Sequence, residues 1–169
     1  TEDRSRTVIQ YRDGRLQEFK TRQEKRAFLR VYDGKMWYYA SVTDVAHLQK
    51  TLDELYEAAT PNETILEDPI VRRFETNRDN RQTFRDNSVR DVSAEEKNEL
   101  LRSYLPLLAE DSCMTMPSGL YLDRSSLYHF CSSLGADIAY DYQTCGLSLS
   151  CSMVEGDKKF SANWQCGET

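Results

Sequence analysis

Two Asp-Gly dipeptides, Asp13-Gly14 and Asp33-Gly34, stand between runs that alternate toward apolar residues, and soon after the second the period of the pattern changes. Glycine accepts the positive φ that tight hairpin turns require, so both dipeptides read as turns between antiparallel strands. Thr7–Tyr11 is the first strand and Leu16–Lys20 its return. Ala27–Tyr32 is a third, with Ala27, Leu29 and Val31 on one face and Phe28, Arg30 and Tyr32 on the other; Met36–Ser41 follows the second turn. Then Val45, Leu48, Leu52, Leu55, Tyr56 and Ala59 recur at three- and four-residue spacing, the signature of one helical face. Thr43 or Asp44 supplies its N-cap and Pro61 ends it. A helix this apolar on one side must lie on something, and the meander is the nearest surface. One face of Met36–Ala40 is then covered. The other is left over, as part of a core or as a docking surface.

Residues 62–91 show no sustained period. Within them six Arg alternate with Glu75, Asp79 and Asp86, the mixed pattern of a solvated linker or extended crossover more than of a basic contact strip. Ser93-Ala94-Glu95-Glu96 is a capping box, and Leu100, Leu101, Tyr104, Leu105 and Leu108 form the apolar face of the helix it opens. Pro106, which lacks an amide donor, should kink that helix near its end. After Gly119 the chain turns β-rich, with Leu127–Cys131, Ile138–Tyr142, Leu147–Val154 and Phe160–Gln165 as strands and Leu134-Gly135 and Gly156-Asp157 in turns. Leu147, Leu149, Cys151 and Met153 alternate with serines, as on a half-buried strand with one wet face. The expected fold is α+β: an antiparallel β-meander packed on a helix (1–62), a linker or crossover (63–92), then a helix and a second antiparallel meander (93–169).

Charge is uneven along the 169 residues. The net −6 falls almost wholly on residues 93–169, while 1–62 carry +1 and 63–92 carry −1. An acidic second half speaks against a nucleic-acid partner, because phosphate binding needs a basic face. No apolar run approaches the roughly 20 residues that span a bilayer, so no membrane partner is expected. The opening TEDRSRT has no apolar core of a signal peptide and no starting Met, and reads as the start of a trimmed chain or a fragment. All five cysteines lie in the second half. The odd count favours a reducing, cytoplasmic setting with free thiols. Cys145 and Cys151 share a strand and stand too far apart along it to pair.

A search for chemistry finds little. His47 lies on the first helix and His129 in a strand, neither with a second His at metal-ligand spacing. There is no Walker loop and no GxGxxG, and Gly146-Leu147-Ser148-Leu149-Ser150 lacks the second Gly of a nucleophile elbow. Trp37, Tyr38 and Tyr39 are capable of stacking on bases, but no basic groove accompanies them. No residue is assigned a catalytic, cofactor-binding or metal-binding role.

The run YRDGRLQEF followed by LRVYDGKMWYYASVTDVAHLQKTLDELYEAA resembles the N-terminal region of the TldD/PmbA peptidase family. The shared order is an Arg-Val pair (Arg30-Val31), a Gly turn (Gly34), an aromatic-small strand (Trp37–Ser41), a Thr-Asp cap (Thr43-Asp44) and a helix ending in Ala58-Ala59. Later, DVSAEEKNELL resembles the family's helix start, and YHFCSSLGADIAYDYQTCGLSLSCSMVEGD its turn and Ser/Ala-alternating strand. The chain departs from the pattern in having Lys25-Arg26-Ala27 where a Gly is common, and in lacking the N-terminal helix.

The resemblance implies the α+β N-terminal scaffold of a longer protein once labelled a modulator of DNA gyrase. It implies a homodimer, or a heterodimer with a related subunit, around a chamber that takes extended or unfolded peptides. The family's zinc motif HExxxH lies beyond this region, so zinc chemistry is expected outside this chain, in a metallopeptidase parent or in the partner of a non-catalytic member. The alternative is a free-standing protein–protein interaction module. A reading frame that continues roughly two hundred residues past Thr169, more than one further domain, distinguishes the first from the second.

Overall fold

The computed structural model describes residues 1–168. The fold is α+β, mostly antiparallel sheet with two helices. Seven strands and two helices follow in the order β1 (Glu2–Arg12), β2 (Arg15–Tyr32), β3 (Trp37–Val42), α1 (Leu48–Ala58), β4 (Arg78–Arg81), α2 (Ala94–Tyr104), β5 (Met114–Cys131), β6 (Asp137–Glu155) and β7 (Lys158–Glu168). The strands hydrogen-bond in the order β3-β2-β1-β5-β6-β4, with β7 also paired to β6. The two expected meanders are therefore present, β1 beside β5. β4, inside the segment expected to be linker or crossover, pairs in parallel with the start of β6.

Several strands are longer than their patterns suggest. Leu16–Lys20 and Ala27–Tyr32, expected as two strands, are one strand, β2. The polar run Thr21–Arg26 between them shows no alternation because those residues are exposed on both faces, so only the backbone ladder marks them as strand. Ile138–Tyr142 and Leu147–Val154 likewise merge into β6. Gly146, which looks like a break, is where β7 comes closest: a Cβ there would lie 3.0 Å from the Cys166 carbonyl oxygen. β5 begins before Gly119 and runs through Pro117, whose carbonyl accepts the Asp13 amide at 2.8 Å. Cys145 and Cys151 both lie on β6, as expected.

The chain divides into two compact units that interleave along the sequence. The first comprises Thr1–Asp3, Glu24–Gln82 and Leu127–Tyr140. In it β2 and β3 pair from Ala27↔Val42 to Tyr32↔Trp37, and α1 packs on β3. Asp44 caps the turn that opens α1, its carboxylate accepting the Ala46 amide. Asp33 binds the pieces together. Its Oδ1 accepts the amides of Lys35 and Met36 at 2.8 and 2.9 Å, and its Oδ2 accepts the Tyr38 hydroxyl and the Thr60 amide just past α1. Gly34, at φ +94°, completes the turn.

The amides of Met36 and then Lys35 hold the Asp33 carboxyl down at about 2. A depressed carboxyl contributes stability above its unfolded value near 3.9, and loses it as pH falls through the folded value. Asp33→Asn should therefore be less stable than wild type at neutral pH, with the gap closing between about pH 4 and pH 2. Urea unfolding of both proteins at several pH values in that window checks this, and a gap independent of pH would refute it.

The second unit comprises Arg4–Gln23, Thr83–Ser126 and Asp141 onward. The capping box is formed: Ser93 Oγ accepts the Glu96 amide and the Glu96 carboxylate returns to the Ser93 amide. The helix gives way to a 3-10 turn over Leu105–Ala109, with Pro106 at its start, as expected. Ile9, Tyr11, Leu101, Tyr121 and Leu149 make the core, with Tyr104, Leu105, Leu108 and Leu147 against them. Gly119 lets α2 sit close, since a Cβ there would meet Leu105 at 2.8 Å and Leu101 at 3.1 Å. Leu100, expected on the apolar face, is 45% exposed. The side chain buried one turn before Leu101 is instead Lys97.

Lys97 is paired. Its Nζ lies 2.7 Å from Asp123 Oδ2, the two side chains being 6% and 2% exposed. Asp123 also accepts the Thr7 amide at 2.9 Å and the Tyr121 hydroxyl at 2.8 Å. Burial, then the bond to Asp123, pushes the Tyr121 hydroxyl far above its ordinary value. Among the described residues no buried side-chain nitrogen or oxygen lacks a hydrogen bond.

Candidate functional site

The first unit carries two places with functional character. One is β3, which ends the strand order and, among the described residues, has β2 as its one strand neighbour. Register puts Trp37, Tyr39 and Ser41 on the same face as Tyr32, Arg30 and Phe28 of β2. The aromatic rings stack in a row: Tyr32 on Trp37 at 4.7 Å, Trp37 on Tyr39 at 6.4 Å, and Tyr39 on Phe28 at 5.7 Å. Arg30 lies over the Trp37 ring at 5.0 Å, a favourable cation–π contact, and Phe74 tilts onto the same ring. On the opposite face Tyr38 reaches Asp33 and Val42 is buried with Ala27. The aromatic face left over from helix packing is thus on the surface, with Phe28 60% and Tyr39 57% exposed.

The other place is the β5–β6 hairpin. Ser132 and Ala136 close its turn: the Ser132 amide donates to the Ala136 carbonyl and the Ala136 amide to Ser132 Oγ. Gly135 takes φ +97° there. This closure sets Cys131 opposite Asp137, with His129 one same-face step back along β5. His129 Nε2 is 2.7 Å from Asp137 Oδ1 and 3.3 Å from Cys131 Sγ, and the sulfur is 3.9 Å from the same carboxylate oxygen. The bond to His129 is the first cause, and the Arg78 charge a lesser one, holding the Asp137 carboxyl below its usual range. Arg78 also donates through Nε to the Gly135 carbonyl at 3.0 Å. A Cys-His-Asp proton relay needs the thiol on one ring nitrogen and the carboxylate on the other. Here both face Nε2, so the trio is not arranged as a relay.

Sequence reading assigns none of these three residues a role. It weighs His129 against a second His, whereas the partners are a thiol two residues on and a carboxylate across the turn. The legible signal was the spacing itself: His-x-Cys on one strand face, then Gly135 in a turn, then Asp137. His47 meets the expectation of a polar helix edge: exposed, with Nδ1 2.7 Å from Asp44.

Residues 2–59 match the family model described as PmbA/TldA metallopeptidase domain 1. Over those residues the chain is similar to the first domain of the PmbA/TldD family. That match covers the β1–β3 meander and α1, the region whose element order carries the resemblance. Three solved structures share the fold of this chain. A Thermotoga maritima protein named for modulation of DNA gyrase superposes with TM-score 0.78 at 14% identity, covering 98% of this chain and 37% of its own. A similarly named protein from Bacteroides thetaiotaomicron gives 0.63 at 16%, covering 98% and 39%. TldE from Thermococcus kodakarensis gives 0.66 at 11%, covering 99% and 38%. The chain therefore spans under two-fifths of each of these proteins. A comparison with curated protein sequences finds no match. No helix among the described residues is long and apolar enough to cross a membrane.

Proposed function

We propose that this chain is the N-terminal scaffold of a PmbA/TldD-type metallopeptidase or of its non-catalytic partner subunit, and that the outer edge of β3 grips an extended, unfolded peptide. The observation that carries the reading is a terminal strand, β3, whose one face joins β2 in a row of stacked aromatic rings, of which Phe28 and Tyr39 are exposed. An open strand edge supplies main-chain hydrogen bonds to an added strand without reading its sequence, and flanking side chains supply grip. Phe28, Tyr39 and the guanidinium of Arg30 offer that grip. In this reading the chain dimerises, with a copy of itself or with a related subunit, to wall a peptide chamber. Peptide-bond cleavage by zinc belongs to parts of the protein outside these residues.

The test is fluorescence anisotropy of a labelled, unstructured peptide titrated with the whole chain. Saturable binding should weaken roughly tenfold in Phe28→Ala/Tyr39→Ala, the loss of about 1.4 kcal/mol that exposed aromatic anchors supply. A peptide N-methylated on alternate backbone nitrogens should also bind poorly, because strand addition requires those amides. Absence of saturable binding, or equal binding by the methylated peptide, would sink the proposal.

A further inference from the structure

We infer that the tip of the β5–β6 hairpin is a zinc site, with His129 Nε2, Cys131 Sγ and the Asp137 carboxylate as ligands and a fourth position open to water. Among the described residues these are the one set of three potential metal ligands whose donor atoms lie within 4.8 Å of one another. Tetrahedral zinc, with bonds of about 2.0 Å to nitrogen and oxygen and 2.3 Å to sulfur, places its donors about 3.3 Å (N to O) and 3.5 Å (S to N or O) apart. The sulfur–nitrogen and sulfur–oxygen separations of 3.3 and 3.9 Å bracket the second value. The nitrogen–oxygen separation of 2.7 Å is that of a shared proton, and opens by about 0.6 Å when a cation replaces it.

The donor set selects the ion. Imidazole, thiolate and carboxylate together suit zinc, while calcium and magnesium take oxygen alone. Thiolate and carboxylate balance the 2+ charge. Binding sends the Cys131 thiol proton to solvent and leaves His129 neutral, its remaining proton on Nδ1. The backbone does the positioning, since the Ser132–Ala136 closure fixes Cys131 against Asp137 before any ion arrives. Arg78 braces the turn through Gly135, and its charge beside Asp137 competes with the ion. The site would clip β5 to β6. Its residues do not compose an HExxxH motif, so it is separate from the peptidase zinc placed outside this chain. It is also independent of the β3 edge, so either idea can fail alone.

The whole chain, kept reduced, is titrated with cobalt(II) as a visible substitute and then with zinc. One cobalt per chain should bind with a thiolate-to-cobalt charge-transfer band, and zinc should displace it. Cys131→Ser should abolish the band, while Cys113→Ser and Cys166→Ser leave it unchanged. His129→Gln and Asp137→Asn should each weaken binding at least about tenfold, the effect that even outer-shell partners have. All three ligands are exposed, so these variants should fold, which circular dichroism verifies. No charge-transfer band in wild type, a band that survives Cys131→Ser, or affinity unchanged in both other variants would overturn the assignment.

Discussion

Asp123→Ala should destabilise the chain by about 3–5 kcal/mol, the cost of leaving a buried charge without its counter-charge. Asp123 answers three donors at once: the Lys97 ammonium, the Thr7 amide and the Tyr121 hydroxyl. Without it Lys97 keeps a hydrogen bond to the Thr7 hydroxyl, at 3.4 Å, within the cluster. Lys97→Met should cost less, about 2 kcal/mol, because the carboxylate keeps its two neutral donors. The pair Lys97→Met/Asp123→Leu should recover much of the loss, since well-packed apolar residues often replace a buried ion pair at little cost. Urea unfolding at neutral pH measures all three. Asp123→Ala within about 1 kcal/mol of wild type would show that water reaches this cluster freely.

Leu101→Ala should cost about 3 kcal/mol, within the range of 2–5 for a fully buried leucine whose neighbours collapse only partly into the space. Leu101 has no exposed surface and lies in the core with Ile9, Tyr11, Tyr121 and Leu149. The informative control is its neighbour. Leu100→Ala on the same helix should stay within about 0.5 kcal/mol, as a largely exposed position does. Equal losses at both positions would mean that α2 is rotated about its axis from the arrangement described.

What could be read beforehand followed from strong local chemistry. The Asp-Gly turns, the capping box at Ser93, the break at Pro106 and the alternation of Leu147–Met153 each act over a few residues, and each appears in the structure. The misjudged strands were those held by pairing alone. Thr21–Arg26 is polar on both faces, and Gly146 marks a close approach of β7 rather than a break. Lys97 was hidden by its charge. A lysine in a helix reads as a solvated residue, and only the meeting of α2 with Asp123 makes it a core residue. The hairpin cluster was missed for a related reason: a search for paired histidines cannot find a set completed by a thiol and a carboxylate across a turn.

The core around Ile9 also bears on how the chain is made. Its members are strung from residue 9 to residue 149, so its contacts are far from local in the sequence. At 5–20 residues per second, a ribosome needs on the order of ten seconds after placing Ile9 to deliver Leu149. Until Leu101, Tyr121 and last Leu149 arrive, the apolar side of β1 lacks its full cover, whereas the Asp33 cluster can close as soon as Thr60 and Asn62 emerge. The nascent chain thus presents a sticky early strand awaiting late partners, the kind of segment that chaperones shield.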